Sequence, residues 1–150
     1  MSEKIIISDQ TFEEYLRDLI GKETGDITKQ DFEQIEYLDL SSGEFKNISS
    51  IRYCKNLRKI NFAENFSEKY DLSVLKDFEK LKAFSLFNPR EEELSELGRY
   101  VNFTSLDIIF WGEAEIFSLN AYKEIKDLNI MNFTGKPFSC KNISELTKLR

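Results

Sequence analysis

Apolar residues recur along this chain in a six-position pattern, apolar-x-x-apolar-x-apolar, at nearly constant intervals. The five copies begin at positions 35, 57, 81, 103 and 125, so successive steps are 22, 24, 22 and 22 residues. Their apolar positions are Ile35/Leu38/Leu40, Leu57/Ile60/Phe62, Leu81/Phe84/Leu86, Phe103/Leu106/Ile108 and Ile125/Leu128/Ile130. A fixed period of this length is typical of a repeat protein whose coils stack into a solenoid.

The spacing of the apolar residues changes within each period, which predicts two kinds of element. The end of each copy alternates with period two, as a short strand with one buried face requires. Before each later copy the apolar residues are three apart, which predicts a short helical return with one face turned inward. These series are Ile48/Ile51/Cys54, Leu72/Leu75/Phe78, Leu94/Leu97/Tyr100 and Ile116/Leu119/Tyr122. Leu149 stands where a sixth copy would begin.

The best-formed return is expected over residues 89–100. Asn88 would cap its N-terminus, Pro89 suits the first helical position, and the glutamates at 91–93 place solvated acids in the first turn. The caps expected for the other returns are Asn47, Asp71 and Ser118.

A different pattern precedes the repeats. Residues 9–20 predict an amphipathic helix with Phe12, Tyr15, Leu16 and Leu19 on one face, ended by Gly21 and Gly25, and a second short helix is expected from Thr28. Residues 1–34 hold nine acids and four bases. Because a solenoid end exposes its core unless a polar segment covers it, we expect 1–34 to be an N-terminal helical cap and 35–150 to be the repeats, together forming one structural unit.

Charge and composition limit the classes of partner that the chain is expected to bind. The net charge is -6, which repels phosphate backbones, so no nucleic-acid partner is expected, whereas a basic protein is compatible. The longest apolar runs are far shorter than the ~18 residues that a membrane span needs, so no membrane insertion is expected. The first residues lack the apolar stretch of a signal peptide. As written, the chain is expected in the cytoplasm; if a signal peptide was removed, it is secreted or on the cell surface.

The sequence carries no recognisable catalytic apparatus. It has no histidine, which removes His-based triads and imidazole metal ligands, and it has no glycine-rich phosphate loop. Asp39 and Asp107 would lie three strand spacings apart, about 14 Å, beyond the ~9.5 Å limit for a glycosidase pair. Cys54 and Cys140 are expected to be reduced thiols in the core. We therefore expect a protein that is not an enzyme and has no cofactor, metal or catalytic residue.

The copies resemble leucine-rich repeats, whose motif is L-x-x-L-x-L. The 22-residue period, the three-spaced returns and the segments 27–41 and 60–65 are most similar to the bacterial internalin type. The resemblance covers residues 9–149. It implies an α/β leucine-rich-repeat solenoid with a parallel β-sheet on the concave face, short α or 3₁₀ returns on the convex face, and an N-terminal helical cap. It bears on fold more than on activity.

One position departs from the family that the chain resembles. That family usually carries Asn or Cys at the ninth repeat position, where the side chain satisfies backbone groups. This chain has Gly43, Asn65, Pro89, Trp111 and Phe133 there. We expect the ladder of asparagine hydrogen bonds to be broken, the turns to be irregular, and Trp111 and Phe133 to point inward and fill volume.

The residues between the apolar positions should face outward from the concave sheet. The middle row is polar throughout, and the row after it becomes apolar towards the C-terminal repeats. An apolar row beside a polar one is typical of a recognition surface. The contact residues that we predict are Phe87, Ile109, Phe110, Met131, Asp107 and Asn129. Two alternatives stay open: the apolar residues only pack locally, or Phe110 and Trp111 exchange places.

Three functions fit these observations. The first is non-catalytic binding of a protein partner through the concave face. The second is an intracellular inhibitor or immunity protein that neutralises a toxin or enzyme. The third is a structural fragment of a longer repeat adhesin. The sequence leaves the oligomeric state open.

Overall fold

The structure is a computed structural model that describes residues 3–111, 117–119, 122–137, 140–141 and 143–150. The helices are α1 (Gln10–Ile20), α2 (Lys29–Glu33), α3 (Phe66–Lys69) and α4 (Glu91–Tyr100). The strands are β1 (Tyr37–Leu40), β2 (Lys59–Phe62), β3 (Ala83–Phe87), β4 (Ser105–Phe110), β5 (Phe117–Ser118), β6 (Asp127–Asn132) and β7 (Cys140–Lys141). Three 3₁₀ turns span Ser49–Tyr53, Leu72–Asp77 and Ile143–Glu145.

Five of the strands form one parallel sheet in the order β1-β2-β3-β4-β6. Each coil therefore adds its strand beside that of the coil before it, as a solenoid requires. The register places the central apolar residues of the five copies in one column, which consists of Leu38, Ile60, Phe84, Leu106 and Leu128. The first four are fully buried and Leu128 is partly buried. The predicted solenoid with its parallel sheet is confirmed.

A recurring backbone hydrogen bond fixes this register. Just before β2 the N–H of Arg58 donates to Glu36 O at 2.8 Å, and just before β6 the N–H of Lys126 donates to Thr104 O at 2.7 Å. The N–H of Arg150 donates to Lys126 O at 3.0 Å, one repeat further on. Arg150 thus stands in the same register to Lys126 as Lys126 does to Thr104.

The returns complete the core from the side opposite the sheet. Their inward residues include Ile51, Leu75 and Leu97, all of which are buried. Rings also connect coils: Phe62 stacks on Phe66 within its coil at 4.6 Å and on Phe84 of the next coil at 6.3 Å between centroids. The core is therefore continuous along the solenoid axis. Cys54 lies within it as a free thiol, and burial raises the pKa of that thiol to about 12.

The start of α4 differs from the sequence prediction. The N-cap is Arg90, whose N–H donates to the side chain of Glu93 at 3.0 Å, while Asn88 lies earlier in a left-handed turn with φ 44°. Glu93 is fully buried, so the expectation of three solvated glutamates is wrong for that residue. The carboxylate turns inward because it also lies 3.5 Å from the N–H of Ser67, which links α4 to the previous coil.

The fourth return, which follows β4, differs more strongly from the sequence prediction. Phe117 and Ser118 form β5, which pairs in parallel with Cys140 and Lys141 of β7, so Ser118 is not a helix cap. Leu119 is buried as predicted, and the N–H of Tyr122 donates to its carbonyl at 2.9 Å. Ile116 of the predicted series and the side chain of Cys140 lie outside the described residues. Along the convex side, helical turns thus give way to a short strand pair.

The N-terminal helices form largely as predicted. Thr28 caps α2, and Gly21 ends α1 in the left-handed region that glycine adopts easily. Phe12 and Leu16 are buried, but Leu19 is 42% exposed. The reason is that Leu19 borders a solvent-open cleft between the end of α1 and the segment that leads into β1.

Asp9 ties this N-terminal region to the first coil. Its Oδ1 caps α1 by accepting the N–H of Phe12 at 3.1 Å, and its Oδ2 accepts the N–H groups of Lys46 and Asn47. Burial by itself raises the pKa of the Asp9 carboxyl, but the N–H donors from Asn47, Phe12 and Lys46 outweigh it, so the pKa lies below its ordinary value. The ionised carboxylate is therefore the form that the fold stabilises.

Replacing Asp9 with asparagine is expected to lower the free energy of unfolding by about 2 kcal/mol at neutral pH, since an amide oxygen cannot accept all three N–H groups. A lowered folded-state pKa stabilises above the ordinary carboxyl value of 3.8 and is lost as pH falls through the folded value. Urea unfolding of the wild type should therefore weaken in acid, and Asp9→Asn should lose less of its stability over the same range.

Asp18→Asn is the matched control, because Asp18 is exposed on α1. It should leave the unfolding free energy within about 0.5 kcal/mol of the wild type. Equal effects of the two substitutions would contradict the anchoring role of Asp9.

Candidate protein-binding surface

The outward side chains of the five-stranded sheet form three rows across the concave face. The register aligns them strand by strand. The first row is Tyr37, Lys59, Ala83, Ser105 and Asp127, and the second is Asp39, Asn61, Ser85, Asp107 and Asn129. The third row continues from Phe87 through Ile109 to Met131. The rows therefore lie where the sequence pattern placed them.

Asp107 is the centre of a polar network on this face. Its Oδ2 lies 2.8 Å from Lys59 Nζ, two strands away, and accepts the hydroxyl of Ser85 from the strand between at 2.9 Å. Burial raises the pKa of Asp107, but the contacts with Lys59, Ser85 and Asn129 outweigh it and lower the pKa below its ordinary value. These contacts hold an ionised carboxylate in place on β4.

The N-terminal part of the face is occupied by its own hydrogen bonds. Tyr37 Oη accepts the amide of Asn61 at 2.5 Å, and Tyr15 Oη accepts the N–H of Asp39 at 2.9 Å. The carboxylate of Asp39 accepts both the N–H and the hydroxyl of Ser41. These groups are therefore less available to a partner than Asp127 of β6, which is exposed.

Phe87, Ile109 and Met131 line the C-terminal half of the face, and each is partly buried. Phe87 is in register with Ile109, and Ile109 with Met131, so the three side chains are direct neighbours across β3, β4 and β6. They form an apolar strip beside the polar network of Asp107.

The most exposed aromatic residues lie just beyond this strip. Trp111 is 62% exposed and Phe133 is 57% exposed, and their rings stack with centroids 4.4 Å apart and an interplanar angle of 11°. The expectation that both point inward is wrong. The two aromatic rings, which come from neighbouring coils, instead make an open platform on the surface.

The position of Phe110 explains why Trp111 is exposed, and it also corrects the prediction for Phe110 itself. Burial alternates along β4 from Ser105 to Phe110, and Phe110 is only 1% exposed, so this predicted contact residue belongs to the core. The alternative in which Phe110 and Trp111 exchange places is the one that the structure has. Because side chains alternate along extended backbone, Ile109 and Trp111 on either side of Phe110 turn outward. The same spacing of two relates Met131 to Phe133.

Asn88 holds the backbone beneath Trp111. Its N–H donates to Ile109 O at 2.8 Å, and its Oδ1 accepts the N–H of Trp111 at 2.8 Å. The N–H of Phe133 donates to Phe110 O at 2.9 Å. Asn88, at the eighth repeat position, thus supplies a bond between coils although the ninth is proline. Its φ of 44° is one that asparagine tolerates better than most residues.

We use the name apolar patch for Phe87, Ile109, Met131, Trp111 and Phe133. The sequence pattern found its first three members. The other two carried a visible signal, since both aromatic residues occupy the ninth position of consecutive repeats, 22 residues apart. This signal did not show whether the two side chains point inward or outward, because their orientation depends on where β4 ends.

In the part of the chain that the structure describes, no group of three or more Cys, Asp or Glu side chains is arranged to hold a metal ion. Within the same ranges, none of the helices has the length and apolar character needed to cross a bilayer.

Solved structures of two bacterial proteins are similar to this chain. An internalin, inlF, from Listeria monocytogenes matches with a TM-score of 0.55 and 19% identity, covering 96% of this chain and 48% of that one. Internalin C2, inlC2, from the same organism matches with a TM-score of 0.60 and 18% identity, covering 99% of this chain and 78% of that one. The chain thus spans about half the length of the inlF chain. No protein-family model and no curated protein matches the sequence.

These similarities confirm the fold that the repeats predicted. The chain folds as a leucine-rich-repeat solenoid similar to those of the two internalins, with a parallel sheet and short helical returns. At 18% and 19% identity, the likeness extends to the fold alone. Any role for the concave face rests on the side chains of this chain.

Trp111 is the single tryptophan of the protein, so fluorescence tests the platform directly. Because most of its indole faces water, we expect red-shifted emission close to that of free tryptophan, and efficient quenching by acrylamide. Phe133→Ala should increase the quenching further, since it removes the ring that covers one indole face. Blue-shifted emission that resists acrylamide would place Trp111 in the core and contradict the platform.

Proposed function

We propose that this protein is a non-catalytic binding module that holds a protein partner on its concave face, centred on β3, β4 and β6. The observation that carries the proposal is the apolar patch, with its exposed Trp111–Phe133 stack, beside the fixed carboxylate of Asp107. Aromatic residues surrounded by polar groups are the usual centre of a recognition surface.

The exposed rings supply a driving force for association. A buried aromatic side chain removes 150–250 Å² from water, so covering the open part of each ring would contribute about 3 kcal/mol. Because the two rings already stack on each other, little side-chain freedom remains to be lost on binding. The strip formed by Phe87, Ile109 and Met131 extends the same apolar contact across the sheet.

The polar residues of the concave face favour a partner of a particular charge. Asp107 is already engaged by Lys59 and Ser85, whereas Asp127 is exposed on the neighbouring strand. Carboxylates next to an apolar patch favour a partner that carries basic groups around an apolar contact. We therefore propose a basic protein surface as the partner.

The roles of an adhesin and of an immunity protein would use the same face. In the first role the partner is a protein outside the bacterial cell, and in the second it is a toxin or enzyme inside it. The identity of the captured partner separates these two roles, and it also tests the simpler role of a structural repeat segment, for which the apolar patch would have no partner.

The test is affinity capture from cells of the source organism and from its surroundings, followed by a binding measurement with the purified partner. Trp111→Glu combined with Phe133→Glu is expected to weaken binding about hundredfold or more, since it places two charges at the centre of the contact. Both side chains are exposed, so folding should survive, which circular dichroism verifies.

Ile6→Glu combined with Ile143→Glu is the matched control. It adds the same charge at two exposed apolar residues outside the sheet, 85% and 43% exposed. This control should bind like the wild type. If the partner binds both double variants with equal affinity, the concave face is not the binding site.

A further inference from the structure

The convex side carries a groove whose charge is opposite to that of the whole chain. It has a volume of about 510 Å³ and lies between the 3₁₀ turns Ser49–Tyr53 and Leu72–Asp77. Its charged lining residues are Lys46, Arg52, Lys69, Lys76, Asp71 and Asp77. Bases therefore outnumber acids here, although the protein carries a net charge of -6. We refer to these six residues and the space between them as the basic groove.

The lysines of the basic groove have no close partner among the described residues. Within those ranges, the side chains of Lys46, Lys69 and Lys76 form no hydrogen bond or ion pair, and all three are exposed, although Lys76 is near enough to Asp71 to help lower the pKa of that carboxyl. Some lysines elsewhere do have close carboxylate partners, as in the pairs Lys22–Asp31 and Lys148–Glu124, at 2.7 and 2.6 Å. Unpaired cations on the wall of a groove create a local positive potential that attracts anionic groups.

The groove is poorly suited to one compact anion such as phosphate. The N–H of Ser49 already donates to Asn47 Oδ1 at 2.8 Å, and the N–H of Ser73 donates to Asp71 Oδ1 at 3.0 Å. Each turn thus satisfies with its own side chain a backbone donor that a bound phosphate would use. The carboxylate of Asp71 would also repel an anion placed beside it.

The distribution of the cations suits an extended ligand. Lys46 precedes the first 3₁₀ turn, Lys69 ends α3, and Lys76 lies on the second 3₁₀ turn, so the charges stand on three separate segments around the groove. Between them, Tyr70 and Val74 provide a partly apolar lining. A peptide with alternating acidic and apolar side chains could meet the lysines and this lining at once.

We propose that the basic groove binds an acidic, extended peptide segment of a protein. The site is separate from the concave face, because its lining residues belong to the convex returns and their flanking segments while the apolar patch belongs to the strands and their ends. A volume of about 510 Å³ lies within the ~300–1,000 Å³ range of ligand pockets. The protein would thus engage partners on two sides.

The probe is a short synthetic peptide in which glutamate alternates with valine, titrated into the isotopically labelled full chain and followed by NMR. At low ionic strength we expect saturable shifts at amides within 46–52 and 69–77, with a dissociation constant below about 1 mM. Raising the salt from about 0.05 to about 0.5 M should weaken binding about tenfold, because exposed charge pairs are screened. The same peptide with glutamine for glutamate should not bind.

Lys69→Glu combined with Lys76→Glu should weaken binding of the peptide about tenfold or more. Lys123→Glu combined with Lys136→Glu changes the net charge equally at exposed lysines outside the groove and should have little effect. The proposal is overturned if the peptide fails to bind, if both double variants weaken it equally, or if inorganic phosphate and not the peptide produces the shifts in the groove.

Discussion

Apolar side chains stacked in register between neighbouring coils hold this solenoid together. The column from Leu38 to Leu128 brings together residues that are 22 or 24 positions apart, and no coil could bury them alone. Truncating such a side chain to alanine typically costs about 2–5 kcal/mol. Once this column is formed, the alternation along each strand sets the outward rows, so the concave surface is a consequence of the core.

Hydrophobic periodicity was sufficient for the sheet because burial alone decides which strand residues face inward. The central apolar residue of each copy is paired with that of the next, from Leu38 and Ile60 through to Leu128. The N-terminal helix was also predictable, since Asp9 and Gly21 act locally as its caps. Three of the six predicted contact residues, Phe87, Ile109 and Met131, are partly exposed next to one another for the same reason.

Interactions between coils decided the features that the sequence pattern missed. Glu93 is buried because its carboxylate faces the backbone N–H groups of Arg90 and Ser67. Ser67 lies 26 residues earlier in the chain, on the previous coil. Phe110 and Trp111 differ in direction because β4 extends to residue 110, where the hydrogen bonds of Asn88 support its end. Neither the length of a strand nor a bond to a neighbouring coil is visible in the spacing of apolar residues. The two proposed binding surfaces arise from these same places, where position nine and the returns depart from regularity.

Backbone amide hydrogen exchange, measured residue by residue with NMR, shows whether the stacked coils are held by their sheet. Slow exchange is expected in β2, β3 and β4, recurring with the 22- and 24-residue steps of the repeat, and faster exchange is expected in β6 at the end of the sheet. Slow exchange confined to α1 and α4, with unprotected strands between them, would contradict a solenoid held together by its parallel sheet.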